Sequence, residues 1–196
     1  MSETSRRIFS LADFLVWESE QERRFELVDG EAVMMAGGTQ AHALIAANIV
    51  SALRSRLRGS SCRPSGSDMR VPIPATGNSR YPDVTVDCGR YDPTSNDASE
   101  PVILFEVLSD STGWYDQARK LRDYDNVPSV RQYVCVSQSE CCVPVWERDA
   151  LGRLVPEDVL LDGSLSLALQ DGPADLPLAE IYEDAGLLQG SGSHAV

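Results

Sequence analysis

The sequence predicts a mixed α/β (α+β) domain built around one sheet, and three observations lead there. Apolar periodicity alternates helix, hairpin, helix, strands, helix, strands along the chain. Residues 102–108 are apolar except for Glu106, the pattern of a strand buried on both faces. Further strand-like runs near 131–136, 142–147 and 154–161 read as a closing antiparallel meander. With 196 residues, 42% of them hydrophobic, the chain can bury a sizeable core within one domain. We place a tail over residues 1–9, the domain over 10–184 and a disordered tail over 185–196, glycine- and serine-rich from Gln189 onward.

Taken in order, Ser10 is an N-cap for an amphipathic helix carrying Leu11, Phe14, Leu15 and Trp17 and reaching about Arg23. Asp29-Gly30 joins two strand-like runs, 24–28 and 31–35, and predicts a tight hairpin. Thr39 caps the next helix, where Leu44, Ile45, Ile49, Leu53 and Leu57 recur at helical spacing on one face. Residues 60–74 read as a turn and a strand around Met69-Arg70-Val71, ended by two prolines. Two carboxylate-bearing strands follow, over 81–87 and 101–109, separated by a polar loop. A helix over 113–124, a turn at 127–129, the meander and a short closing helix at 178–182 complete the chain.

Composition narrows the classes. The longest apolar runs fall far short of the ~20 residues of a membrane span, and residues 1–7 contain no apolar signal core. A cytoplasmic location follows as the default expectation. Five cysteines (Cys62, Cys88, Cys135, Cys141, Cys142) match no zinc template and are expected to be reduced structural thiols. The net charge of −13 is unfavourable for nucleic-acid binding, so its distribution matters. Residues 138–196 hold eleven acids against two arginines, a net −9, leaving −4 for residues 1–137. Between residues 51 and 80, Arg54, Arg56, Arg58, Arg63, Arg70 and Arg80 face Asp68 alone. That cluster is either a local phosphate-binding face or a solvated helix face plus loop arginines. Charge does not decide between them.

The chemistry centres on Asp83, Glu106 and Lys120. A carboxylate inside a strand buried on both faces is costly to ionise unless a cation or several donors meet it. Lys120 is the chain's single lysine among seventeen basic residues, and it shares a helix face with Asp116 and Tyr124. Neighbouring strands lie ~4.8 Å apart, so Asp83 and Glu106 can reach one hard cation. Two carboxylates, one Mg²⁺ and one lysine suffice for phosphodiester hydrolysis. The same spacing also fits a partly buried lysine–carboxylate bridge tying helix to sheet, and spacing alone favours the bridge.

These residues carry a resemblance. Tyr81-Pro82-Asp83, then Phe105-Glu106-Val107-Leu108-Ser109, Ser111-Thr112, Asp116, Lys120 and Tyr124, resembles the Uma-two family of restriction endonucleases. Residues 25–31, Met35 and His42 are similar to that family's N-terminal signature, and residues 128–133 to its next strand entry. The likeness spans roughly residues 8–183. The family belongs to the PD-(D/E)XK nuclease-like superfamily, which implies a restriction-endonuclease-like central mixed β-sheet flanked by helices and usually a homodimer. Asp83 matches the motif aspartate and Glu106 the second acid. Leu108 stands where the superfamily has its lysine, but this family places that lysine on the following helix, where Lys120 stands. The resemblance therefore implies a metal site over a bridge: an endonuclease acting on DNA, with Mg²⁺ or Mn²⁺ held by Asp83 and Glu106. The Val107 carbonyl is a further oxygen ligand beside them.

Other polar residues have plainer readings alongside the functional one. Glu26 either extends the metal site or faces solvent on its strand. His42 either serves the site, as the resemblance implies, or packs and bonds locally at its helix start. Ser109, Ser111 and Thr112 read as turn and cap residues, and Trp114 and Tyr124 as core contacts. The apolar face of the first helix and the strands after Cys141 offer more apolar surface than one small sheet needs, which with the likeness points to a homodimer. A second function class stays open: a non-catalytic module that keeps the fold and meets a partner through its acidic C-terminal third.

Overall fold

The computed structural model describes residues 8–109, 114–169 and 174–188, with only the backbone of Trp114 and Tyr115. The expected caps at Ser111 and Thr112 and the tail from Gln189 lie outside the described residues. Ser10 does cap the first helix, α1 (Leu11–Glu18), its side chain accepting the Asp13 N–H. The helix stops at Glu18, short of the predicted Arg23. Beyond it the Glu20 and Gln21 N–H groups bond three residues back, and no apolar residue follows to extend the buried stripe.

The hairpin of β1 (Phe25–Val28) and β2 (Glu31–Met34) forms as Asp29-Gly30 requires. Both turn residues have positive φ, 49° and 83°, the type I′ geometry that matches strand twist. Thr39 caps α2 (Gln40–Arg56) by accepting the His42 N–H. Ile45, Ile49 and Leu53 are fully buried along one face of that helix.

One strand was expected near residues 69–71, but three are present: β3 (Arg63–Gly66), β4 (Val71–Ile73) and β5 (Asn78–Arg80). The triplet Asn78-Ser79-Arg80, polar and given no element in the sequence reading, is a strand whose three residues are all buried. Hydrogen bonding and ion pairing inside the fold, rather than hydrophobicity, hold them there.

The two carboxylate strands are β6 (Val84–Asp87) and β7 (Pro101–Leu108), followed by α3 (Trp114–Asp125) and β8 (Gln132–Ser137). The meander continues through β9 (Val143–Arg148) and β10 (Leu154–Leu160). A small hairpin, β11 (Ser164–Leu167) with β12 (Ala174–Pro177), precedes α4 (Leu178–Ile181).

The central sheet has six strands in the order β10-β9-β8-β7-β6-β3. It is mixed: β7 and β8 are parallel, and the other neighbours antiparallel. Parallel neighbours need a crossover, and α3 supplies it. Helix α2 covers one face against Val84, Ile103, Phe105, Val107 and Val134. Tyr124 and Leu121 of α3 cover the other against Leu104, Tyr133 and Cys135. A second, four-stranded sheet, β2-β1-β5-β4, lies beside it.

Two expectations are corrected. The apolar face of α1 is used within the chain: Phe14 is fully buried with Phe9 and Leu27, and Leu15 and Trp17 pack around them. It therefore gives no argument for a dimer. The cysteines are not all free thiols, because Cys62 and Cys88 form a disulfide. They flank the Arg63↔Asp87 register pair of β3 and β6, so strand pairing itself sets them opposite one another. Cys135, Cys141 and Cys142 are free.

Candidate active site

The β6–β7 ladder pairs Val84 with Phe105, and Pro82 brings no N–H to continue it. Asp83 takes over with its side chain: Oδ2 accepts the Val107 N–H at 2.7 Å. Strand alternation sends Glu106 to the opposite face from Phe105 and Val107, toward α3. The side chain of Asp83 and the carboxylate of Glu106 thus meet around one strand end because two neighbouring backbones end their pairing there.

Glu106 is 3% exposed and both its oxygens are engaged. Lys120 Nζ donates to Oε2 at 2.6 Å, and the Tyr124 hydroxyl donates to Oε1 at 2.7 Å. The two donors stand four residues apart, one above the other on α3. The Glu106 carboxyl is pushed up to about 7: burial raises it most, the nearby charges of Asp83 and Glu26 add to that, and Lys120 pulls the other way. Burial would lower the Lys120 ammonium, but the carboxylates of Glu106 and Glu26 more than offset it and hold Lys120 above its ordinary range. The lysine is cationic at any ordinary pH.

His42 stands in the first turn of α2, its Nε2 3.2 Å from Asp83 Oδ2. Its pKa is raised above 6.5: the hydrogen bond to Asp83 outweighs burial, with the Asp83 and Glu106 charges adding to it. A side chain at Gly38 would bring Cβ to 2.6 Å from His42 Nδ1, so glycine leaves the room in which the imidazole sits. Of the two readings for this histidine, the structure brings it to the carboxylates.

Glu26 does not face solvent. It accepts from Arg80 Nη1 at 3.0 Å and from the Tyr81 N–H at 3.1 Å, and it lines the same cleft as Asp83, His42, Glu106 and Lys120. Behind it, Arg80 is 1% exposed, donating through Nε to Asp123 Oδ2 at 2.8 Å. Its Nη2 lies 2.7 Å from the same oxygen, at an angle that makes an ion pair rather than a second hydrogen bond. Asn78 Nδ2 donates to the other Asp123 oxygen at 2.8 Å. The chain Glu26–Arg80–Asp123 ties β1 and β5 to α3 and fixes the helix that carries Lys120.

Sequence reasoning missed Tyr124, Arg80 and Asp123 as supports. Tyr124 carried a signal, since it follows Lys120 by four residues and a buried tyrosine hydroxyl needs a partner. Arg80 carried none, because nothing in the sequence marks it off from the other arginines near it.

A hard divalent ion fits this donor set. Mg²⁺ takes one or two carboxylates and keeps several waters, and the cleft presents Asp83 and Glu106 with Glu26 nearby. Among the described residues no group of three or more His, Cys, Asp or Glu side chains is placed to hold one ion. The cleft offers carboxylate oxygens and no cysteine, and its one imidazole, His42, is turned to Asp83 at 3.2 Å, so the oxygen donors suit Mg²⁺ or Mn²⁺ over Zn²⁺.

Comparison with known proteins bears on the family and the fold. The Uma2 family, described as "Putative restriction endonuclease", matches residues 11–179. An uncharacterized protein of Synechocystis sp. is 31% identical over 138 residues, covering 70% of this chain and 73% of its own length. A second from the same organism is 27% identical over 135 residues, covering 67% and 76%. In fold, the chain is similar to a crystal structure titled as a putative nuclease belonging to DUF820 from Anabaena variabilis. The TM-score is 0.72 at 16% identity, over 90% of this chain and 99% of that one. Among the described residues no helix is long and apolar enough to cross a membrane.

Proposed function

The chain belongs to the Uma2 family, and on that premise we propose that it is a metal-dependent endonuclease hydrolysing DNA phosphodiester bonds. The observation that carries the reading is the meeting of Lys120 with Glu106 at 2.6 Å, beside Asp83 on the adjacent strand end. Asp83 and Glu106 would hold Mg²⁺ or Mn²⁺. When bound, such an ion offsets charge on the scissile phosphate and lowers the pKa of a water molecule. The Val107 N–H and His42 fix the orientation of Asp83, so its carboxylate is held in place before any ligand arrives. Tyr124 does the same for Glu106 from the buried side. Lys120, held as a cation, can donate a hydrogen bond to a water or to a phosphate oxygen. It orients and stabilises, and it is not the proton acceptor.

A second reading has its own support: both Glu106 oxygens are already satisfied by Lys120 and Tyr124, as a purely structural bridge requires. In that case the chain would be a non-catalytic module, with its acidic C-terminal third as the partner-binding part. Lys120→Met separates the two, since it keeps most of the stem volume and the helix propensity. For a nuclease, the variant binds Mn²⁺ by calorimetry, keeps its melting temperature in saturating Mn²⁺ and loses plasmid nicking. For a bridge, it strands Glu106 as an uncompensated buried charge, melts lower by the equivalent of ~3–5 kcal/mol and shows no metal binding. Asp83→Ala is expected to abolish Mn²⁺ binding, and unchanged affinity would remove the metal assignment.

A further inference from the structure

The six arginines between residues 51 and 80 do not form one basic face, because half of them are used inside the fold. Arg70 and Arg80 are buried in ion pairs, with Glu18 and Asp97 and with Glu26 and Asp123. Arg56 forms a two-pronged pair with Glu180 at 2.6 and 2.7 Å. Arg54 and Arg58 are exposed and make no ion pair among the described residues. Arg63 joins them, held by the Ser61 and Gly89 carbonyls and stacked 5.5 Å from the Tyr91 ring centroid. These three arginines line one cleft to which no acidic residue contributes. On a chain of net charge −13, a cleft walled by three arginines and no carboxylate is a local exception that structure, and not composition, creates.

That cleft is linked to the candidate active site through a groove that shares lining residues with both. The site cleft shares Gly37, Gly38, His42 and Asp83 with a neighbouring groove along the outer side of α2. The groove reaches Ser51, which also lines the arginine cleft. From His42 to Arg54 the helix rises about 18 Å, at ~1.5 Å per residue. One nucleic-acid strand carries a phosphate every ~3.4 Å of duplex, so the two ends of the groove are about five phosphates apart.

We infer that the groove along α2 is the track of the bound nucleic-acid backbone, with Arg54, Arg58 and Arg63 anchoring phosphates about five nucleotides from the bond being cut. This rests on the nuclease reading above. The arginines position the duplex and read no sequence, because they meet phosphates rather than base edges. They also explain how a chain of net charge −13 can hold a polyanion: attraction is local to one short cleft. Such binding is strongly salt-dependent.

The test is fluorescence anisotropy of a labelled 20-base-pair duplex with the full chain in Ca²⁺, across a salt series. The Arg54→Gln/Arg58→Gln double variant changes two exposed helix residues to another good helix former, and an unchanged melting temperature checks the fold. Loss of two phosphate contacts is expected to flatten the slope of log K against log salt by about 1.8 and to weaken binding roughly tenfold or more at 0.1 M salt. A double variant that binds with the wild-type slope and affinity places the track elsewhere and overturns the inference, while leaving the nuclease reading standing. A wild-type chain that binds no duplex even at low salt overturns both. A double variant that loses affinity equally at every salt concentration, with no change in slope, overturns the phosphate contacts specifically.

Discussion

His42 is one of only two histidines in the chain, the other being His194, so its titration can be followed without extensive assignment. Its pKa is raised because Asp83 stabilises the imidazolium more than burial opposes it. A raised folded-state pKa means that the interaction stabilises fully below the ordinary value of 6.5 and fades as pH rises through the folded value. Imidazole proton shifts are therefore expected to titrate above 6.5 in the metal-free protein. Asp83→Asn removes the partner and leaves burial, so the midpoint is expected to fall back to 6.5 or below. A His42 midpoint unmoved by that change would separate the histidine from the aspartate. Correspondingly, His42→Gln is expected to lower the melting temperature more at pH 6 than at pH 8.5.

At the scale of elements, the site depends on turns that the sequence specifies tightly. Gly30 closes the β1–β2 hairpin at φ 83°, where an L side chain costs ~1–2 kcal/mol. A Cβ there would also meet Ile8 Cγ2 at 2.9 Å. Gly59, with φ 85° and nothing within 4 Å, is a matched control for backbone strain alone. Gly30→Ala and Gly59→Ala are both expected to destabilise by ~1–2 kcal/mol in urea denaturation, with any excess at Gly30 measuring the Ile8 contact. Because β1 carries Glu26, the Gly30 change is also expected to disturb the site cleft, while the Gly59 change leaves it alone.

At the scale of the whole molecule, one buried network joins the four-stranded sheet to α3. Arg80 holds Glu26 of β1 and Asp123 of α3 from a position 1% exposed. Arg80→Met leaves two carboxylates facing each other without their cation and is expected to cost ~3–5 kcal/mol by calorimetric melting. Arg80→Lys is expected to recover only part of this, since a point charge cannot span both partners as a planar guanidinium does. Oligomeric state belongs to this scale as well. A duplex has two strands, and a two-fold pair of these chains would present two sites to it. Light scattering at tens of micromolar is expected to give a dimer, and a monomer there would show that each chain meets the duplex alone.

The sequence by itself determined the hairpin, the capped helix α2, the carboxylate strands, the crossover helix and the meander. Each rests on local rules: Asp-Gly suits positive φ, Thr39 bonds the N–H three residues on, and apolar residues recur at the period of their element. It also singled out Glu106 and Lys120, because an acid in an apolar strand and a lone lysine are anomalies visible without a fold. It left open whether the site holds a metal or is a bridge and whether Glu26 faces the cleft or solvent, and it misjudged the α1 face and two of the cysteines. Tertiary structure decided the last three of these points. Whether Glu26 faces water, whether Cys62 meets Cys88 and which arginines remain free all depend on what lies opposite in space, across sequence separations of 26 to 124 residues. Local propensity carries no information about such partners. Asn78-Ser79-Arg80 is the sharpest case: polar and given no element in the sequence reading, it forms a buried strand because Asp123 and Glu26, far along the chain, pair with its arginine.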